Sequence, residues 1–262
     1  MAGRTAGTDG NGVYPSRKAG DTADMSDILP FSPDDFDALT FDTFGTLIDW
    51  EAGIAAAARP VLVAHGIGIA EEALLAMFAK HEHGFENPFH PYREVLALTL
   101  GAIGEELGFE PTEDERATFS ASVPDWPAFT DAASSLARLH TKYRLYTITN
   151  CDDDLYEGAA ARLGNPWDGV FAAGTIGSFK PDPANFHYAF ERIPFPRERI
   201  LHVAQSLFHD HRTAQALGMK SVWVNRRGGS TADGGGGATP PASATFDLEV
   251  PDMTTLARLL VP

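Results

Sequence analysis

Four polar clusters follow apolar runs along this chain, and each carries side chains that could act on a substrate. The first is Phe41-Asp42-Thr43-Phe44-Gly45-Thr46-Leu47, where an aspartate ends an apolar run and a glycine soon after permits a sharp turn. A carboxylate projected from a strand tip is a candidate covalent nucleophile, although an aspartate that only closes a turn leaves the same local pattern. The second cluster, Thr149-Asn150, places a hydroxyl and an amide just before a helical stretch. They could cap that helix or, with its free amides, hold an anion. Asp152, Asp153 and Asp154 follow at once; they suit the helix dipole but oppose a bound anion unless they turn away. The third is Ser178-Phe179-Lys180-Pro181-Asp182-Pro183. A lysine held near a nucleophilic carboxylate would orient it and offset its charge, whereas an isolated lysine belongs on the surface. The fourth runs from Leu201 to Asp210 and ends in Gln205, Ser206, His209 and Asp210. Asp210 stands where the next helix begins and reads equally as its N-cap.

The elements that must position these groups alternate. Strand patterns cover Phe36 to Phe41, Tyr143 to Thr149, Ile200 to Ala204 and Lys220 to Val224, with a weaker run at Val170-Phe171. Helical patterns follow at Leu155 to Leu163, Ala184 to Arg192 and His211 to Leu217. Alternation of this kind predicts an α/β fold, a Rossmann-like parallel sheet flanked by helices. Ligands of such sheets bind at the carboxyl ends of the strands. Residues 51–122 break the alternation with helical signals only and predict an inserted helical cap domain over that edge. Residues 31–50 and 123–262 would then form the catalytic core, with residues 1–30 a disordered leader and residues 227–244 a flexible Gly-rich loop.

Composition narrows the partners. The chain of 262 residues carries 36 acidic against 20 basic side chains, a formal net charge of −16. A surface of that sign repels nucleic acid and anionic lipid. No apolar stretch approaches the ~20 residues of a membrane span, and no secretory signal is visible. The single cysteine, Cys151, excludes a disulfide framework and reads as a packed thiol. His81 and His83 are two residues apart, so they do not share a helix face and make a poor metal pair. These features predict a cytoplasmic protein whose partner is a small molecule. A homodimer is also possible.

Taken together and in order, the four clusters resemble the motifs of the haloacid dehalogenase superfamily over about residues 36 to 225, with a helical insertion where one cap class of that family has it. The resemblance implies that Asp42 is the nucleophile, and that Thr46, Thr149, Asn150 and Lys180 occupy site positions. Two departures indicate the branch. Phosphatases of the superfamily carry a second aspartate two residues after the nucleophile, where this chain has Phe44, and Gly-Asp in the fourth motif, where it has Ala204-Gln205. An alkoxide leaving group needs general acid help and a metal clamp; a halide needs neither. The resemblance therefore implies a 2-haloacid dehalogenase that works through an aspartyl ester and needs no cofactor. In that reading Lys180 positions Asp42, Asn150 donates to the departing halide, and Asp210 orients or activates water. Phe44, Gln205 and Ser206 would contact a small anionic substrate. Arg93, in Pro91-Tyr92-Arg93-Glu94, is the best match for a cap arginine that would hold the anionic end, and Phe186 stands where that branch has a tyrosine. Two alternatives stay open: a small-molecule phosphatase with magnesium at Asp42 and Asp210, and a non-catalytic binding protein that keeps the fold.

Overall fold

The structure is a computed structural model and describes residues 29–228 and 237–262. Six parallel strands form one sheet: β1 (Ala38–Phe41), β2 (Arg144–Thr149), β3 (Gly169–Ala172), β4 (Ile200–Ala204), β5 (Lys220–Val224) and β6 (Leu248–Val250). Their spatial order is β3-β2-β1-β4-β5-β6. The chain builds outward from β1 on one side, then returns to build outward from β4 on the other. The reversal lies between β1 and β4, where parallel sheets open a crevice at their carboxyl ends. β1 is buried along its whole length, which matches its continuous Ala-Leu-Thr-Phe run.

Helices α1 (Trp50–Ala64), α2 (Glu71–Glu82), α3 (Tyr92–Leu107) and α4 (Glu113–Ser120) leave the sheet after β1 and pack on one another. Caps mark their ends: Asp49 accepts the Ala52 amide at 3.2 Å, and Thr112 with Glu115 forms a capping box on α4. The outgoing and returning chains pair antiparallel at Ile48 and Ala128, so the insertion is rooted on a two-stranded stem. The remaining helices, α5 (Ala132–Leu139), α6 (Asp153–Arg162), α7 (Ala173–Ile176), α8 (Ala184–Phe190), α9 (Arg212–Ala216) and α10 (Met253–Leu260), connect or flank the strands. Among the described residues no helix is long and apolar enough to cross a membrane. β6, α5, α7 and α10 have no counterpart in the sequence reading; β6 and α7 are only three and four residues long, too short to show a period.

Most of residues 1–30, and residues 229–236 of the expected flexible loop, lie outside the described residues. The flanks of that loop are packed. Arg227 pairs with Glu51, Ala238 is fully buried with its amide on Glu51 Oε1 at 2.9 Å, and Thr239 is buried too. Glu51 on α1 supplies a partner for both flanks, which the Gly-rich composition could not reveal.

Candidate active site

Asp42 follows β1 directly, and its amide extends the sheet ladder by donating to Val203 O at 3.0 Å. Three residues on, Gly45 takes φ +92°, a conformation glycine adopts without a Cβ clash. A Cβ there would also come within 3.2 Å of Gln205 Oε1 and Trp50 Nε1. The resulting turn folds Thr46 back onto the aspartate. Thr46 Oγ1 donates to Asp42 Oδ2 at 2.6 Å and accepts the Gln205 amide at 2.8 Å.

Lys180 holds the other carboxylate oxygen. Its ammonium is 1% exposed and donates to Asp42 Oδ1 at 2.8 Å, Asp210 Oδ1 at 2.7 Å and Ile148 O at 2.8 Å. An ammonium has three protons, and these contacts use all of them. The loop that presents Lys180 is fixed by Asn150, whose amide oxygen accepts the Lys180 amide at 2.7 Å while its Nδ2 donates to the Lys180 carbonyl at 2.9 Å. Behind the lysine, His202 Nε2 lies 3.1 Å from Asp210 Oδ1 and its Nδ1 lies 2.9 Å from Thr40 Oγ1. An ionised carboxylate only accepts, so Nε2 is the donor to Asp210. A continuous buried network thus runs from Thr40 through His202, Asp210 and Lys180 to Asp42 and Thr46.

Burial opposes charge on both aspartates, with different outcomes. For Asp42 burial prevails and pushes the carboxyl above its ordinary range, while Lys180 and the Thr46 hydroxyl pull the other way. Asp210 also suffers burial, but Lys180 and His202 outweigh it and hold its carboxyl well below the usual range. Lys180 loses hydration yet stays above its ordinary value because Asp210 and Asp42 flank it.

The cavity in front of Asp42 is lined by Phe44, Gln205, Ser206 and His209 from the core edge, with Asn150 and Lys180 beside them. Trp50, Glu82 and Tyr92 close it from the helical insertion, and Thr239 from the far side of the Gly-rich segment. Phe44 is set edge-on against Trp126, with centroids 5.7 Å apart, and presents an apolar wall. Gln205 Oε1 accepts the Thr239 hydroxyl at 3.2 Å, and Ser206 Oγ accepts the His209 amide at 2.9 Å. Asp42, Phe44, Asn150, Lys180, Gln205 and Ser206 therefore meet in one place, with Thr46 directly behind the aspartate.

Three expected site residues do not line the cavity. Arg93 does not line the cavity: its guanidinium is 2.6 Å from Asp154 on the exposed surface. The start of α3 explains this, since Asp152 accepts the amides of Tyr92 and Arg93 at 2.8 and 2.9 Å and turns Tyr92 inward, Arg93 outward. Asp210 is fully buried beneath Lys180 and does not line the cavity either. Ser206, not Asp210, caps the turn that follows β4. Thr149 is wholly buried, its hydroxyl has no partner, and it too stands outside the cavity lining. The acidic run after Asn150 does turn away from the site: Asp152 caps α3, Asp153 accepts the Thr175 hydroxyl at 2.8 Å and Asp154 takes Arg93.

The sequence reading missed Glu82, Tyr92, Trp50, His209 and Thr239 as lining residues, together with Glu86 behind Asn150. A signal existed for Glu82, since Leu74, Leu75, Phe78 and Glu82 form the buried stripe of α2, and an acid on an apolar stripe is unusual. Burial, and then the nearby Glu86, push the Glu82 carboxyl well above its normal range. Glu86 is also raised, chiefly by burial. Burial lowers His209 to about 3 and keeps the ring neutral.

Comparison with known proteins identifies the framework. A family model described as haloacid dehalogenase-like hydrolase matches residues 36–218. The chain belongs to this family of hydrolases. Among curated relatives, (S)-2-haloacid dehalogenase 4A of Burkholderia cepacia is 24% identical over 204 residues, covering 74% of this chain and 85% of the relative. The (S)-2-haloacid dehalogenase of Pseudomonas fluorescens is 24% identical over 205 residues, covering 72% and 85%. Among solved structures, L-2-haloacid dehalogenase from Xanthobacter autotrophicus superposes with a TM-score of 0.73 at 20% identity, over 86% of this chain and 98% of that one. The expected fold, a parallel sheet flanked by helices, is therefore the observed one.

Magnesium shared by Asp42 and Asp210 does not fit this donor set. Asp210 is fully buried beneath Lys180 and outside the cavity lining, both oxygens of Asp42 are engaged by Lys180 and Thr46, and the cavity position next to Ala204 is the neutral Gln205.

Proposed function

We propose that the protein is a hydrolytic dehalogenase acting on a small 2-haloacid. The observation that carries this reading is a buried aspartate held by Lys180 and Thr46, facing a cavity with Phe44 beside it and no acid two residues on. In the first step an Asp42 oxygen attacks the carbon α to the carboxylate, and the halide leaves with the bonding electron pair, giving an ester. Water then adds to the Asp42 carbonyl carbon, the ester C–O bond on that side breaks, and a 2-hydroxyacid and a proton are released. Lys180 fixes the attacking carboxylate and offers positive charge to the oxyanion formed on hydrolysis. Asp210 and His202 serve by keeping Lys180 charged and in place. The helical insertion acts as a cap that covers the ester and limits water. The names of the curated relatives agree with this substrate class.

The test is halide release from a panel of 2-haloacids, compared with p-nitrophenyl phosphate plus magnesium. Release of halide with formation of the 2-hydroxyacid is the expected result. Turnover of the phosphate ester alone would overturn the reading in favour of a phosphatase.

A further inference from the structure

We propose that His83, Glu86 and His209 form a binding site for one divalent transition-metal ion, tying the helical insertion to the core beside the catalytic cavity. One potential ligand atom from each of the three residues lies within 4.8 Å of the other two. His83 and Glu86 sit in and just after the short turn that follows α2, while His209 belongs to the turn after β4. The three are brought together only where the insertion meets the core.

An ordinary ion pair accounts for part of this cluster, since His83 Nδ1 is 2.7 Å from Glu86 Oε2. It does not account for His209. That ring is 8% exposed, its Nδ1 lies 3.1 Å from Ser206 Oγ, and its Nε2 is buried with no partner. Buried polar atoms nearly always have a partner. A hydroxyl on one ring nitrogen that leaves the other free is the arrangement by which proteins orient a ligating histidine. Glu82, which shares the cavity wall with His209, likewise keeps a buried Oε2 without a partner. Unsatisfied groups thus stand on both sides of the same contact, one from each part of the molecule.

The ligand chemistry indicates the ion. Two imidazoles and a carboxylate suit zinc, cobalt, nickel, iron or manganese, and magnesium and calcium prefer all-oxygen sets. Donors around such an ion lie about 2.0–2.2 Å from it, so the His83–Glu86 hydrogen bond must open and the wider separations must close around the ion. His83 can supply that movement because its side chain is 46% exposed. The site is distinct from the Asp42–Lys180–Asp210 network and stands whichever bond Asp42 attacks. Under the dehalogenase reading it has a clear use. The cavity wall carries Asp42, and its one cation among the described residues, Lys180, has every proton engaged. A bound metal ion would add the positive charge that attracts a carboxylate.

The test uses the full chain, dialysed against a chelator and titrated with zinc chloride by calorimetry and with cobalt chloride by visible absorption. One ion per chain is expected, with a cobalt d–d band and a rise in Tm on addition of zinc. His209→Ala and Glu86→Gln should each weaken zinc binding by at least ~10-fold, the scale on which support of a metal site is lost. His81→Ala should bind as the unaltered protein does, since His81 pairs with Glu106 instead. His83→Ala alters an exposed residue and provides the same test if a buried variant fails to fold. Absence of binding at millimolar zinc, or binding that His83→Ala and His209→Ala leave unchanged, would overturn the proposal. A failure to release halide from 2-haloacids would leave this binding result standing.

Discussion

The groups that touch Asp42 and those on the outer wall of the cavity differ in how completely they are paired. On the floor, Asp42, Lys180, Thr46 and Asn150 are interlocked, and both Asp42 oxygens and every Lys180 proton have partners. On the roof, Glu82 keeps a buried oxygen without a partner, and on the adjoining core edge His209 keeps such a nitrogen. Beneath Lys180 the pairing is incomplete too, since Asp210 Oδ2 is buried without a partner; paired groups hold their geometry, whereas unsatisfied groups in a low-dielectric wall are costly unless something binds them. The contrast separates the two tasks. On the proposed reading, the floor serves the bond-making step and the roof meets the incoming molecule.

Substitutions can break that division. The largest effect is expected for Asp42→Asn, which keeps shape and removes the proposed nucleophile; halide release should fall by on the order of 10³–10⁶-fold, with an unchanged circular dichroism spectrum. Substantial residual turnover would move the chemistry away from the floor. Lys180→Ala should come next, because it strands two buried carboxylates. Breaking a buried pair in this way costs about 3–5 kcal/mol, to be read as a lower midpoint of urea unfolding along with lost activity.

A smaller change tests how the surroundings of Asp42 tune its carboxyl. Burial raises the Asp42 carboxyl above its ordinary value, so as pH falls the reactive carboxylate is protonated earlier than a free aspartate would be. The acid limb of kcat/KM should therefore lie above the ordinary aspartate range. Thr46→Val removes a hydrogen bond that favours the ionised form, and the limb should move to higher pH by about one unit, since such a bond contributes roughly 1.5 kcal/mol and one unit is 1.36 kcal/mol. A limb that stays in place would separate Thr46 from the tuning of Asp42.

The smallest effect is expected at Arg93. Its pair with Asp154 is exposed on both sides, at 42% and 68%, and exposed pairs contribute at most about 1 kcal/mol. Arg93→Ala should leave kcat/KM within roughly threefold of the unaltered protein. A large rise in KM would return Arg93 to the roof of the cavity and show that α3 turns about its axis when substrate binds.

Much of this molecule was determined locally. The apolar runs of β1, β2, β4 and β5, the helical block after β1, and Gly45 as the turn behind Asp42 all follow from short-range pattern and backbone freedom. The order of the four polar clusters followed as well, because parallel strands deliver their carboxyl ends to one edge. What the tertiary structure alone decided is which side chain reaches the cavity from outside that edge. Arg93 and Tyr92 are neighbours at the start of one helix, and only Asp152, sixty residues beyond Tyr92, sets which one turns inward. Thr239 reaches the site across a Gly-rich stretch, and His209 meets His83 from a different part of the chain. These placements depend on packing between distant segments, and distant packing leaves no periodic trace in the local sequence.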